Sequence, residues 1–293
     1  ALTMTTLEAI SPIDGRYASD TEELQKFFSE AALMRYRLRV EIEYLIALGD
    51  ETGVAELSEF SADEQKLLRL LYENFSLEDA QKVKEIEKTT DHDVKALEYF
   101  FKNKLAETPL QQSAEFYHFA LTSEDVNNLA YSMMWREALQ EAYFPNLDAI
   151  IKSLTDFVER YKNQPMLAMT HGQSATPTTV GKEFAVFVSR IIRQTEQIKQ
   201  HKLLGKLNGA TGTWGAHVVA YPNVDWIAFS KKFVSSLGLE PNLLTTQIEP
   251  HDSLVESFHI IERINNILLD FCRDVWLYIS RGIFGQIKAA GEV

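Results

Sequence analysis

The sequence predicts an all-α protein, with a small N-terminal helical domain followed by a bundle of long helices. Three observations carry this. Glycine and proline are scarce, 13 and 8 of 293 residues, so turns are few. Apolar residues recur at three- and four-residue steps over long stretches. Several of those stretches open with capping sequences. No strand-like alternation persists, and no internal repeat is present.

Residues 1–20 read as an irregular arm with a turn at "SPIDGRY". A helix is expected from about 21 to Gly49, with Leu24, Phe27, Phe28, Ala31, Leu38, Ile42 and Leu45 at helical spacing. "SADEQKLLRLLYENF" has Ser61 as N-cap and Glu64 at N3, a capping box, and Ser76 and Asp79 repeat the pattern. A further helix is expected over about 91–105, and Pro109 marks a break. A domain boundary near 110 follows, separating 1–110 from 111–293. "TSEDVNNLAYSMMWREALQEA" starts at Thr122 or Ser123, with acidic residues where the helix dipole favours them. Another helix covers about 145–162, ahead of Pro165. Thr176-Pro177 predicts the start of a helix to about 204, a capping hydroxyl followed by proline. "NGATGTWGAHVVAYP" reads as irregular, and a short helix is expected near 225–237. The last helix is expected from near Pro250 past Phe284, roughly 50 Å long. Its apolar residues form more than one stripe, so it should be buried on several sides, a subunit interface being the natural second partner.

A formal net charge of -13 argues against a general nucleic-acid binder, although a local pocket can still take a small anion. The lone Cys272 excludes a disulfide within the chain and reads as a small buried hydrophobe in "ILLDFCRDVW". The first twenty residues lack a basic stretch followed by an apolar one, and no apolar run reaches bilayer length. A cytoplasmic protein without membrane contact is expected.

Four polar loops join the long helices. In "TTDHDVKALEY", His92 stands at a helix start, either as part of a solvated, Asp-capped end or meeting an anion together with Lys95 one turn on. In "FALTSEDVNNL", Thr122 and Ser123 either cap the helix or hold a carboxylate or phosphate on its free N–H groups. Asn127 and Asn128 are poor helix formers at mid-helix and invite a polar partner. In "LAMTHGQSATPTTVGKE", His171 has no apolar neighbour at helical spacing, so it is either a surface-loop histidine or a proton donor working near neutral pH. In "TTQIEPHDS", Gln247, Glu249 and His251 precede the long helix, and no HExxH accompanies them, so a metal site is not expected. GxGxxG, GxxxxGK[ST] and GxSxG are absent.

Together, "SPIDGRY", "EKTTDHDVKALEYF", "HFALTSEDVNNLA", "THGQSATPTTVGKE", "LNGATGTWGAH", "YPNVDW" and "TTQIEPHD" resemble the adenylosuccinate lyase family of the aspartase/fumarase superfamily. The likeness runs in order from about residue 11 to the end. It implies an all-helical homotetramer, with active sites shared between subunits, no metal and no organic cofactor. The implied reaction is β-elimination of fumarate from a succinylated purine nucleotide, or from the succinylated carboxamide intermediate of purine synthesis. By the resemblance His171 is the general acid. Arg16 and Tyr17 correspond to nucleotide contacts, and Asp91, His92, Asp93, Lys95, Thr122, Ser123 and Gln247 to substrate-binding positions, with Asn208 a weaker candidate. The family often has asparagine where this chain has Asp91. The sequence ends at "IKAAGEV", where the family continues into a Gly-Ser-Ser-rich loop supplying a serine base. Taken literally, the chain is expected to hold the acid without the base and to be inactive. Two other readings are an argininosuccinate-type lyase and a non-catalytic helical scaffold.

Overall fold

A computed structural model describes residues 6–285, 287, 290 and 291. The chain is mostly helical, as expected, in the order α1 (Gln25–Phe28), α2 (Glu30–Gly49), α3 (Ala62–Glu73), α4 (Leu77–Thr90), α5 (Asp93–Leu105), α6 (Ser123–Ala138), α7 (Phe144–Tyr161), β1 (Pro165–Thr170), β2 (Gln173–Thr179), α8 (Val180–Gln200), β3 (Leu204–Gly205), α9 (Gly215–Ala220), α10 (Trp226–Ser236), β4 (Glu240–Pro241) and α11 (Asp252–Ser280). It divides into two compact units, Ala1–Tyr143 with Lys202–His251, and Phe144–His201 with Asp252–Val293. Residues on both sides of position 110 pack in the first unit.

In the first unit α2 is the core element. Every position from Ala31 to Gly49 is buried or half-buried, and α2 packs against α3, α5 and α6. Leu38, Ile42, Tyr44, Leu45 and Leu48 are fully buried. The helix expected from 21 is interrupted at Ser29, whose ψ of 161° breaks the α conformation while its hydroxyl accepts the Ala32 N–H at 3.1 Å. A serine that caps so well ends one helix and starts the next. The Ser61–Glu64 and Ser76–Asp79 capping boxes form as expected. The glycine-rich segment, expected to be irregular, contains the short α9, and β3 pairs with β4 in parallel.

The second unit holds α7, α8, α11 and a hairpin. Phe184 on α8 gathers Phe157, Phe271 and Phe284, with ring centroids 4.3, 5.4 and 6.0 Å away. The expected helix start at Thr176-Pro177 is corrected. Pro177 lies in β2 opposite Leu167, and α8 begins at Val180 with the Thr179 hydroxyl accepting the Lys182 N–H at 3.1 Å. A two-stranded ribbon has only edges, so proline is tolerated there.

The end of α11 is also earlier than expected. Gly282 takes φ 70°, its N–H donates to Ile279 O at 3.0 Å, and Ile283 N–H donates to Tyr278 O at 2.8 Å. These two bonds form a Schellman stop. One face of α11 buries Ile260, Ile264 and Ile267, while Val255, Phe258, Leu269, Trp276 and Leu277 are exposed on the chain by itself. Cys272 is exposed, correcting the expected burial. It follows α11 residues that alternate between packed and open faces, which an apolar local sequence does not resolve.

Gly181 sets the approach of α8 to α7. A Cβ there would stand 2.6 Å from Val158 O and 2.7 Å from Lys162 Cα. Both are backbone atoms and cannot rotate away. Gly181→Ala is therefore expected to destabilise the protein by about 1–3 kcal/mol in urea titrations. A change indistinguishable from zero would show that the two helices separate freely.

Candidate functional site

Three buried polar residues on one face of α2 organise the first unit's loops. Arg37, Glu41 and Tyr44 follow helical spacing, so they line one side. Arg37 Nη1 meets Asp93 Oδ2 at 2.7 Å, and its Nε donates to Asn127 Oδ1 at 2.8 Å. This ties the start of α5 to the second turn of α6. Burial opposes ionisation of Asp93, but the guanidinium outweighs it and holds the carboxyl below the usual range. Glu41, fully buried, meets His118 Nδ1 at 2.5 Å and accepts its backbone N–H at 3.1 Å. Burial disfavours the charged imidazole, yet Glu41 outweighs it and raises the His118 pKa. Tyr44 donates its hydroxyl to Phe119 O at 2.9 Å. The loop leading to Thr122 is thus held at two successive residues, with His118 and Ala120 both in the left-handed region, φ 60° and 57°.

Asp125 closes the start of α6. Its Oδ2 accepts the Thr122 N–H at 2.9 Å, and its Oδ1 accepts the N–H groups of Asn208 at 3.1 Å and Gly209 at 3.3 Å. Lys206 Nζ stands 2.9 Å from the same Oδ1, with both side chains fully buried. Asn128 exchanges two hydrogen bonds with the Lys206 backbone, Nδ2 to O at 3.0 Å and N–H to Oδ1 at 2.8 Å. The partner invited by the mid-helix asparagines is therefore Arg37 for Asn127 and the Lys206 backbone for Asn128. Asn208 is itself buried, its Nδ2 donating to Thr245 Oγ1 at 2.8 Å.

Against this frame, Thr122 is the N-cap of α6 and Ser123 its first residue, both half-buried. Gln247 Nε2 donates to Thr122 Oγ1 at 3.1 Å, so the structure brings Thr122, Ser123 and Gln247 together. Asp91, His92 and Asp93 line a cavity of about 330 Å³ with Arg37, Glu30 and Glu87. His92, rather than an aspartate, caps α5, its Nδ1 accepting the Lys95 N–H at 3.2 Å. Asp91 ends α4 in the left-handed region, φ 52°. Asn and Asp enter that region more readily than most residues. The Lys95 ammonium lies on Glu98 at 2.7 Å. Arg16 and Tyr17 lie on an exposed turn, the guanidinium 5.6 Å from the Tyr17 ring centroid.

His171 belongs to the second unit. Thr170 pairs with Gln173, which leaves His171 and Gly172 as a two-residue hairpin loop. Their φ values are 52° and 74°. Two positive φ values in a two-residue loop are the type I′ signature, which glycine meets without cost at the second position. The imidazole is exposed and makes no hydrogen bond to another described residue. Arg281 lies beside the turn, its Nη1 3.5 Å from Gly172 O.

Sequence reasoning missed Arg37, Glu41, Tyr44, His118, Asp125, Lys206 and His217. His217 is fully buried with Nε2 3.0 Å from the Tyr44 hydroxyl. Because that hydroxyl donates to Phe119 O, Nε2 carries the proton, which leaves Nδ1 a buried acceptor without a hydrogen bond. The hairpin did carry a signal, a His-Gly pair between two short segments.

A family model described as "Lyase" matches residues 15–292. The chain is 46% identical over 291 residues to the adenylosuccinate lyase of Escherichia coli K12, covering 99% of this chain and 64% of that protein. It is 47% identical to that of Legionella pneumophila strain Corby over 293 residues, covering 100% and 64%. It is 47% identical to that of Dictyostelium discoideum over 297 residues, covering 98% and 63%. The chain thus spans a little under two thirds of these relatives' length. Among solved structures, a fumarate lyase from Mesorhizobium sp. BNC1 superposes with a TM-score of 0.68 at 16% identity, covering 88% of this chain and 57% of that one. The β-carboxy-cis,cis-muconate cycloisomerase of Acinetobacter calcoaceticus gives 0.67 at 20%, with the same coverage. Both share the fold.

Two outcomes follow from the buried groups. Lys206→Met leaves the Asp125 carboxylate buried without its cation, and urea titrations are expected to show a loss of about 3–5 kcal/mol. A loss below about 1 kcal/mol would assign the site's order to the backbone bonds alone. His217 is pushed down to about 4 by burial and, to a lesser degree, Lys206, against the pull of Asp125. The unfolded chain therefore takes up a proton that the folded one refuses. The His217 contribution to stability should fall by about 2–3 kcal/mol as pH drops from the ordinary histidine range towards 4. His217→Gln should make that slope shallower, and an unchanged slope would remove His217 as its cause.

The family match over nearly the full sequence and the shared helical fold agree: the chain belongs to the lyase family of the aspartase/fumarase superfamily.

Proposed function

We propose that this chain carries the general acid and part of the substrate site of an adenylosuccinate lyase, which eliminates fumarate from adenylosuccinate to leave AMP. The observation that carries the reading is His171 at the tip of a two-residue turn, exposed and held by backbone geometry rather than packing. Its setting in a chain 46–47% identical to curated adenylosuccinate lyases supports the substrate class.

In the elimination a base takes a proton from the carbon next to a succinyl carboxylate. The electron pair forms the double bond of fumarate, the carbon–nitrogen bond breaks, and the purine nitrogen takes a proton. His171 supplies that last proton. Charge developing on the carboxylate side needs fixed donors. At the positive end of the 16-residue α6, Ser123 supplies its N–H and hydroxyl for it, with the Thr122 hydroxyl and the Gln247 carboxamide alongside. Arg16 and Tyr17 contact the nucleotide, and Asp91, His92, Asp93 and Lys95 complete the binding set. The base is the serine that the resemblance places in the family's signature loop. The same machinery acts on the succinylated carboxamide ribotide. The reaction takes no metal or organic cofactor. The protein works in the cytoplasm as a homotetramer with shared sites, the exposed apolar face of α11 serving as an inter-subunit surface. No described helix is long and apolar enough to cross a membrane.

The test is direct. The protein in its full natural length, mixed with adenylosuccinate, is expected to release AMP and fumarate in equal amounts. His171→Ala should lower kcat by about 10²- to 10⁴-fold with the circular dichroism spectrum unchanged. Absence of both products from the parent would overturn the reading, and a fully active His171→Ala would overturn the assignment of the acid.

A further inference from the structure

The loop of residues 242–251 carries Gln247 and is fastened to the first turn of α6 at several points. Gln247 holds the Thr122 hydroxyl. Further along, His251 lies between two carboxylates. Its Nε2 is 3.4 Å from Glu124 Oε1, and its Nδ1 is 3.5 Å from Glu249 Oε2. The His251 backbone N–H donates to Glu249 Oε2 at 2.6 Å. Glu249 is 2% exposed, and its other oxygen accepts from Asn242 Nδ2 at 3.0 Å. The Tyr131 ring, also on α6, stands against the imidazole edge with centroids 6.5 Å apart.

Two features make this more than a surface ion pair. His251 adopts φ 60°, in the left-handed region that histidine enters more readily than most residues, and this sets its ring between the two carboxylates. The Glu124 carboxylate also meets the Glu249 backbone N–H, and its Oε1 is buried without a hydrogen bond, with the imidazole 3.4 Å away. Remove the ring and two carboxylates face each other across the space it filled, one on α6 and one on the loop. Like charges that close drive their elements apart. With a proton on either nitrogen the ring donates towards one carboxylate, and with both it draws the two together.

We propose that His251 is a positioning residue of the substrate site, holding the Gln247 loop against the first turn of α6 so that Gln247, Thr122 and Ser123 act as one unit. The role assigned to that unit rests on the adenylosuccinate lyase reading. His251 acts through Gln247 and the α6 terminus and takes no proton from substrate. Its loss therefore weakens binding and leaves the chemical step nearly intact.

The experiment compares the natural full-length protein with His251→Leu, His251→Gln, Glu124→Gln and the His251→Leu/Glu124→Gln double variant. With adenylosuccinate, His251→Leu is expected to raise KM about tenfold with kcat within about threefold of the parent. His251→Gln, which keeps an amide donor, should recover part of the loss. Because Glu124→Gln removes one of the facing charges, the double variant should be no worse than His251→Leu alone, a non-additive pair. Amide hydrogen exchange supplies a readout independent of turnover. His251→Leu should speed exchange in residues 245–249 and 123–126 while leaving Val40–Leu48 of α2 unchanged. Unchanged KM and unchanged local exchange would overturn the proposal. So would an equal acceleration throughout α2, which marks general destabilisation. A parent without turnover would overturn the functional reading instead, and the exchange comparison would still decide whether His251 clamps the loop.

Discussion

The first unit depends on one carboxylate. Asp125 accepts the Thr122 N–H through one oxygen and meets Lys206 Nζ and two loop N–H groups through the other. A single side chain thus both holds the Thr122 cap of α6 and anchors the glycine-rich loop. Burying it costs its hydration, and that cost is offset only because its partners converge on it. Lys206 supplies the counter-charge and places its remaining reach on Gly209 O at 2.9 Å. The positive end of α6 and the loop beside it cannot shift independently while this cluster stays intact. A site that must hold an anion on helix N–H groups gains a fixed target from it.

The second unit solves a different problem. His171 is presented without a packed shell around the imidazole, as the proposed acid requires. The hairpin does this through backbone alone: the register fixes a two-residue loop, the loop requires left-handed conformations, and Gly172 takes the second of them. Histidine is among the residues that enter that region more often than most. The strands run back onto α8 through the Thr179 cap, so the turn is held at its base by a helix start. The exposed imidazole, the proposed acid, is accessible to solvent protons there.

What the sequence revealed about these parts follows their physics. Capping boxes at Ser61 and Ser76 were legible because they are local, three residues from cap to carboxylate. The α6 start was legible for the same reason. The hairpin was misread because Thr176-Pro177 has the chemistry of a helix start, and only the pairing with β1 decides otherwise. The end of α11 was misread because apolar residues continue past it, whereas Gly282 sets the stop. The candidate loops were legible as polar segments between long helices. Lys206 and Asp125 were not singled out, since each reads as an ordinary charge until the fold brings them together. The asparagine pair did flag α6, because residues that weaken a helix at its centre need a reason to be there.

The polar residues of α2 show why the remainder was hidden. Arg35, Arg39 and Glu43 occupy the half-buried face of α2, but Arg37, Glu41 and Tyr44 lie where the helix is buried. Arg37, Glu41 and Tyr44 must therefore find partners inside the protein, and each finds one on a loop or helix start that no regular element would otherwise hold. Asp93 and Asn127 satisfy Arg37, His118 satisfies Glu41, and the Phe119 carbonyl with His217 satisfies Tyr44. The core's demand for satisfied polar groups and the site's demand for fixed loops are met by the same bonds. Mutating such a residue to an apolar one of equal size can spare the helix and still release the loop. Its apolar neighbours Leu38, Ile42 and Leu45 are fully buried and belong to the core. The polar positions that look anomalous in a buried helix are thus the ones that order the loops around the start of α6.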